Sequence, residues 1–228
     1  MHAELIAIGT LAEIDTERDH LAKEISALEA ARKQAAAAEA TASTELEQAR
    51  AALGALVGIE QEANVRLSEH RHRQEQAKRA LEGAFGSDAA QRQLDQSRAL
   101  ADQDETAILD SMMQQDGARL AVKAAVAALE SARAARAAID ARAPVEIAAL
   151  RTRLAAADVR RVPALAALTK DLQFRYDSVY KKKKTAVAHV VDGSCTACQM
   201  SVAAQHLSDL RRGSSTDPCR GCGRWLLT

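Results

Sequence analysis

A heptad repeat that runs without a break from Ile14 to Leu81 constrains this chain more than any other feature. One position of the repeat reads Leu21, Leu28, Ala35, Ala42, Ala49, Leu56, Ala63, His70 and Ala77. The other reads Ile25, Arg32, Glu39, Leu46, Leu53, Glu60, Leu67, Gln74 and Leu81. Residues at these spacings share one narrow stripe of an α-helix. Glu, Arg, Lys and Gln fill the positions between as good helix formers. Such a stripe needs a second helix to cover it. Gly83 and Gly86 stop the pattern, and Ser87 or Asp88 supplies an N-cap for a second helix. A weaker register then runs through Leu94, Ala101, Ile108, Met112, Val122, Val126, Leu129, Ile147, Leu150 and Leu154. Arg119, Arg133, Arg136 and Asp140 also lie on its seam. Two long helices joined by a short connection fold back antiparallel. The expectation is therefore a coiled-coil hairpin over residues 1–162, turning near 83–88.

Composition agrees with a thin seam. The 228 residues include 52 alanines and only five aromatics, four of which lie in the last 55 residues. Alanine on the seam lets helix axes approach to about 8 Å. Gly54 and Gly58 should lie opposite Gly117, which predicts either a bend or a close backbone contact at that height. Pro144 is expected to kink the second helix and Pro163 to break or re-aim it.

The composition changes at Pro163. A connecting helix is expected over 163–184, carrying Phe174, Tyr176 and Tyr180 and ending in Lys181, Lys182, Lys183 and Lys184. The β-rich run Thr185–Val191 then meets the turn pair Asp192-Gly193. Residues 185–228 form a cysteine module.

Cys195-x-x-Cys198 and Cys219-x-x-Cys222 stand 20 residues apart. Each Cys-x-x-Cys forms a knuckle whose two thiolates reach one metal, and two knuckles complete a tetrahedron. Gly223 supplies the left-handed turn that a knuckle wants, and Gln199 holds the equivalent place in the first. Two disulfides would need an oxidising compartment, and a thioredoxin-like pair would need a βαβ context that is missing. A single structural zinc ion is the expected occupant, and a rubredoxin-like iron uses similar ligands that spacing does not separate from it. Four thiolates close the coordination sphere and leave no position for substrate. They also leave a local charge of about −2, which Arg220 and Arg224 are placed to offset.

These motifs resemble a bacterial family that joins a long helical hairpin to a C-terminal C4 zinc ribbon. The resemblance rests on Asp192-Gly193-x-Cys195-x-x-Cys198 and Cys219-x-x-Cys222-Gly223-Arg224-x-Leu226, with Tyr176, Val187 and Val191 ahead of them. It implies zinc ligation by the same four cysteines. Family members are commonly described as nucleic-acid-binding zinc-ribbon proteins. Some are linked to an alternative sigma factor and to flagellar or secretion regulation. Trp225 and Leu227 depart from the residues usual there.

Thirty-one basic and 31 acidic residues cancel, but they are unevenly placed. Residues 159–228 hold 12 basic and 5 acidic side chains, a surplus of seven that the first 158 residues offset. Arg175, Lys181, Lys182, Lys183, Lys184, Arg211, Arg212, Arg220 and Arg224 are the candidates for nucleic-acid contact. Arg160, Arg161 and Lys170 belong to the same basic third. The alternative is a solvated helix end whose lysines complement the helix dipole. Of Phe174, Tyr176, Tyr180 and Trp225, at least three are expected to pack the ribbon against the helix and not to stack on bases. There is no Gly-rich phosphate loop, His-Glu-x-x-His or Gly-x-Ser-x-Gly. No apolar run approaches the roughly 20 residues of a membrane span, and the N-terminus lacks a secretory pattern. The chain reads as a mainly α, cytoplasmic, non-enzymatic, regulatory adaptor with no small-molecule substrate. It is expected to bind RNA or, alternatively, to act as a protein-interaction module or chaperone for a sigma factor or a secretion or flagellar component.

Overall fold

The computed structural model describes residues 3–83 and 87–227. Two long helices, α1 (Ala3–Glu82) and α2 (Asp88–Ala166), are followed by α3 (Lys170–Lys183), β1 (Val187–Val191), β2 (Ser194–Cys195), α4 (Ala204–Arg212) and β3 (Trp225–Leu227). The centre of the expected turn, Ala84 to Gly86, lies outside the described residues. On its far side Ser87 caps α2, its hydroxyl accepting from the Ala90 amide at 3.2 Å. The chain divides into two compact units: Arg32–Asp140, and Met1–Ala31 with Ala141–Thr228.

In the unit Arg32–Asp140 the helices pair antiparallel along the heptad seam. Ala42, Leu46, Ala63, Leu67 and Ala77 of α1 are buried, as are Ala90, Leu94, Ala101 and Leu129 of α2. The polar seam positions find one another. Arg32 Nε donates to Asp140 Oδ1 at 2.8 Å, Arg136 and Arg133 donate to Glu39 at 3.0 and 3.3 Å, and Gln115 Nε2 donates to Glu60 Oε2 at 2.6 Å. The matched charges hold one register, which alanine alone specifies weakly.

Two expectations for this unit need correction. Met112 is 49% exposed, and the seam instead takes the buried polar residues Ser111 and Gln115. They can sit there because they are satisfied: Ser111 Oγ donates to the Leu56 carbonyl at 2.8 Å. Nor do Gly54, Gly58 and Gly117 make a close backbone contact. A Cβ built on any of them would meet nothing within 4 Å, and both helices run through them.

The other unit holds the ribbon. Its sheet has strand order β2-β1-β3. β1 pairs antiparallel with β2, Val190 opposite Cys195, and parallel with β3, Val187 opposite Trp225. Leu5, Ile8, Leu11 and Ala12 of α1 pack with Leu168, Tyr176, Leu210, Trp225 and Leu226 in one buried cluster that includes three of the cysteines. Tyr176 stacks on Trp225 at 6.1 Å and on Tyr180 at 6.2 Å. Phe174 is 76% exposed, so three of the four aromatics tie helix to ribbon.

α2 does not break at Pro163. It continues through Pro144 and Pro163 to Ala166, because a helical φ suits proline and the Pro163 carbonyl still accepts from Ala167 N at 3.0 Å. The connecting helix begins only at Lys170. Thr169 is its N-cap, accepting from Leu172 N at 3.5 Å. Gln173 Nε2 reaches back to the carbonyls of Leu165 and Leu168, both at 2.9 Å, and so satisfies the end of α2.

Candidate metal centre

Two local structures of the same design bring the four cysteines together. In the first, Cys195 N donates to Met200 O at 2.9 Å and Gln199 N donates back to Cys195 O at 2.8 Å. In the second, Cys219 N donates to Arg224 O and Gly223 N donates to Cys219 O, both at 2.7 Å. Each loop closes through a left-handed residue, Gln199 at φ 61° and Gly223 at φ 72°. Gln199 adopts that conformation despite its Cβ, and its side-chain amide donates to Thr196 O at 3.3 Å.

All four Sγ atoms lie within 4.8 Å of one another. Across the knuckles, Cys195 faces Cys222 at 3.8 Å and Cys198 faces Cys219 at 3.7 Å. A tetrahedral metal with bonds near ~2.3 Å has sulfur–sulfur edges of about 3.8 Å. The cluster therefore has the size, donor type and count for a tetrahedral thiolate metal site. Cys195, Cys219 and Cys222 are buried and Cys198 half-buried.

The protein also biases the thiols. Burial pushes the Cys222 thiol up, but the Arg224 backbone amide, the Arg224 guanidinium and the neighbouring thiols outweigh burial and bring it down to about 7. At Cys198 the Met200 amide favours the thiolate, while burial and the other three sulfurs together raise it to about 12. The metal-free cluster thus retains protons that a cation would displace.

Neighbouring elements brace the site. Lys183 Nζ donates to the Cys222 carbonyl at 2.6 Å. Arg224 Nε donates to Thr185 O at 3.0 Å and Thr185 Oγ1 at 2.8 Å, and its NH2 lies 3.4 Å from Lys183 O. A Cβ on Gly221 would stand 2.2 Å from Met200 Sδ and 3.3 Å from Cys198 Sγ. Met200 of the first knuckle thus lies over the second, and any side chain at position 221 would have to push the Met200 thioether aside. Neither Met200 nor Gly221 stands out in the sequence, beyond a glycine inside a Cys-x-x-Cys.

The basic candidates separate into two groups. Arg175 pairs with Asp171 at 3.0 Å, while Lys183 and Arg224 brace the knuckle. Arg160 and Arg161 are likewise taken, by Glu17 at 2.6 Å and Asp15 at 2.7 Å. Lys181, Lys182, Lys184, Arg211, Arg212 and Arg220 are exposed and make no ion pair to any described residue. Lys181, Lys182 and Lys184 flank the brace at Lys183, and Arg220 lies within the second knuckle.

Asp15 carries no signal in the sequence, where it looks like one more acid on a solvated helix. It is fully buried. It accepts from Arg161 Nε at 2.7 Å, Arg18 NH1 at 3.0 Å and the Tyr176 hydroxyl at 3.1 Å. Arg161 extends the network to Asp177 at 3.1 Å. This network joins α1, α2 and α3 beside the stacked rings.

No helix among the described residues is long and apolar enough to cross a membrane. No family model matches the chain, and no curated protein sequence does either. Solved structures with the same fold include CT398 from Chlamydia trachomatis, 17% identical over 98% of this chain and 96% of that one, at a TM-score of 0.76. HP0958 from Helicobacter pylori is 11% identical over 99% and 97%, at 0.68. A protein from Mycobacterium smegmatis is 16% identical over 99% and 98%, at 0.67. At such identities the likeness establishes a shared fold along nearly the whole length of each chain.

Proposed function

We propose that the chain is a member of the coiled-coil zinc-ribbon family. In this reading it carries one structural zinc on Cys195, Cys198, Cys219 and Cys222. It works in the cytoplasm, without catalysis, as an adaptor whose ribbon binds RNA. The observation that carries the RNA reading is the set of six exposed cations, Lys181, Lys182, Lys184, Arg211, Arg212 and Arg220, that make no ion pair to any described residue. Cations left over after internal pairing are the ones available to phosphates. A metal held by four sulfurs has no open position for a reacting group. The test is binding to a labelled single-stranded RNA across a salt series. Six phosphate contacts give a slope of log K against log salt of roughly −4. Lys181→Glu with Lys182→Glu should weaken binding and flatten that slope. Affinity insensitive to salt, or absent at low salt, overturns the RNA reading.

A second reading, a protein-interaction module for a sigma factor or a secretion or flagellar component, is favoured by a different observation. Large apolar side chains, Leu109, Met113 and Leu120 among them, are exposed on α2.

A further inference from the structure

The helix α3 carries five apolar or aromatic side chains: Leu172, Phe174, Tyr176, Val179 and Tyr180. Four of them belong to the buried cluster that joins helix and ribbon. Phe174 stays out of it and is 76% exposed. At 3.6 residues per turn, the buried Tyr176 lies about 160° around the helix from Phe174, which therefore marks the outer face. Lys170, Ser178 and Lys181 fall within about 40° of Phe174. The two lysines stand about 6 Å before it and about 10 Å after it along the axis. The outer face is thus one aromatic ring between two cations.

The charge of this helix is strongly one-sided. With its C-cap it holds Lys170, Arg175, Lys181, Lys182, Lys183 and Lys184 against Asp171 and Asp177. Both acids are matched, Asp171 by Arg175 at 3.0 Å and Asp177 by Arg161 at 3.1 Å. Asp158, the one acid on the last turns of α2, pairs with Arg18 at 2.6 Å. Lys183 is held at the Cys222 carbonyl. Lys170, Lys181, Lys182 and Lys184 are exposed and make no ion pair to any described residue. Lysines at the end of a helix complement its dipole, but Lys170 is the first residue of α3, where a cation opposes it. Helix stability does not account for Lys170, and an anionic ligand does.

A ring between cations also discriminates among ligands. A protein helix in a groove needs apolar anchors at i, i+3, i+4 and i+7, and the outer face of α3 offers one. A single-stranded nucleic acid needs a ring for a base and cations for the backbone around it. Duplex RNA keeps its bases stacked inside and can use only the lysines.

We propose that the outer face of α3 binds single-stranded RNA, one unpaired base stacking on Phe174 while the flanking phosphates meet Lys170 and Lys181. This rests on the RNA reading above and specifies its substrate class. Base identity should matter little, because every base has a π-face.

The experiment uses the full chain and three labelled ligands: a single-stranded RNA of about 12 nucleotides, the same ribose-phosphate strand without bases, and the corresponding duplex. Phe174→Ala should weaken single-strand binding roughly five- to 150-fold and leave the salt slope unchanged, because a stack releases no counterion. Phe174→Tyr should restore the affinity. The strand without bases and the duplex should bind the wild type and Phe174→Ala alike. Lys170→Gln should instead flatten the slope by about 0.7, one phosphate on a single strand. Trp225 emission confirms that each variant keeps its fold. If the wild type binds in a salt-dependent way and Phe174→Ala loses less than about twofold, the stack is overturned and the RNA reading stands. No binding at low salt overturns both. An equal loss on the strand without bases overturns the stack as well. Phe174-dependent binding of a poly-glutamate peptide overturns the proposal in favour of an acidic protein segment.

Discussion

In the unit made of residues 1–31 and 141–228, α1 packs against Tyr176, Trp225 and a cysteine cluster, and it buries Asp15 completely. In the unit Arg32–Asp140 the same helix packs mainly on alanine and leucine, as in the cluster of Ala42, Leu46 and Leu129. Its charged seam residues remain part-exposed: Arg32 and Asp140 keep 43 and 38% of their side-chain surface. Exposed pairs of that kind contribute about 0–1 kcal/mol each. Truncating one partner of a buried pair costs about 3–5 kcal/mol, because the other charge is left uncompensated. One unit thus rests on a few contacts that are costly to lose, and the other on many small, repeated ones. Single substitutions should be severe in the first and mild in the second.

The metal site should give the largest effect. Structural zinc contributes roughly 10–16 kcal/mol of apparent binding free energy at neutral pH to small domains that fold around it. Trp225 is the only tryptophan and stacks inside this unit, so its fluorescence reports on the ribbon alone. Chelation, or Cys195→Ser, should shift Trp225 emission toward that of exposed indole while far-UV helicity falls little. Metal affinity should rise with pH, since Cys198 must give up a proton from a thiol raised to about 12. If stripping about one metal per chain leaves Trp225 emission unchanged, the ribbon does not fold around its metal and the contrast between the units weakens.

Asp15 comes next. Asp15→Ala removes the shared acceptor of Arg161, Arg18 and the Tyr176 hydroxyl; Arg161 keeps Asp177 and Arg18 keeps Asp158, so the expected cost is that of the orphaned buried hydroxyl and the lost charge-assisted bonds, about 2–3 kcal/mol. Denaturant unfolding followed by Trp225 fluorescence measures it, and a loss below about 1 kcal/mol would place Asp15 with the exposed pairs. pH probes the same network. Burial, then Asp15, raises the Tyr176 hydroxyl above its ordinary value, and burial, then Asp19, raises Tyr180. A raised folded-state value means that the native state retains protons the unfolded state has released. The associated stability is therefore full below pH ~10 and declines as pH rises beyond it. Tyr176→Phe should flatten that decline.

These two units also differ in how far they can be read from sequence. The seam of Arg32–Asp140 is a local periodicity, so Ala42, Leu46, Ala63 and Leu67 are legible residue by residue. Periodicity misleads only where a polar residue outcompetes an apolar neighbour, as Ser111 does Met112, because a hydrogen bond to the Leu56 carbonyl has no local signature. The four-cysteine cluster is legible because Cys-x-x-Cys spacing is itself local. The rest of the ribbon unit is less so. Asp15 and Arg161 meet across 146 positions, and nothing near either announces the other. The α4 helix is hidden although Gly213 caps it at φ 73°, since the cysteines on either side suggest an irregular loop. The break at Thr169 is hidden because Gln173 stabilises it from the next helix.

The smallest effect tests the repetitive unit from the opposite direction. Gly54, Gly58 and Gly117 lie within helices, and a Cβ on any of them meets open space. Glycine inside a helix costs about 0.8–1.0 kcal/mol relative to alanine, because it gives up more chain freedom on folding. With no packing contact to oppose that gain, each Gly→Ala change should stabilise by about that amount. Gly117→Ala, on the other helix, should add nearly independently to either change in α1 if the unit is a sum of small local terms, whereas Gly54 and Gly58 lie one turn apart and are near enough to couple. Trp225 reports on the other unit, so far-UV circular dichroism against denaturant is the appropriate measurement. A loss of stability at any of the three positions would mean that the helix there departs from straight, open geometry. Additivity between the two helices would mark these turns as ones whose weakness no packing contact requires.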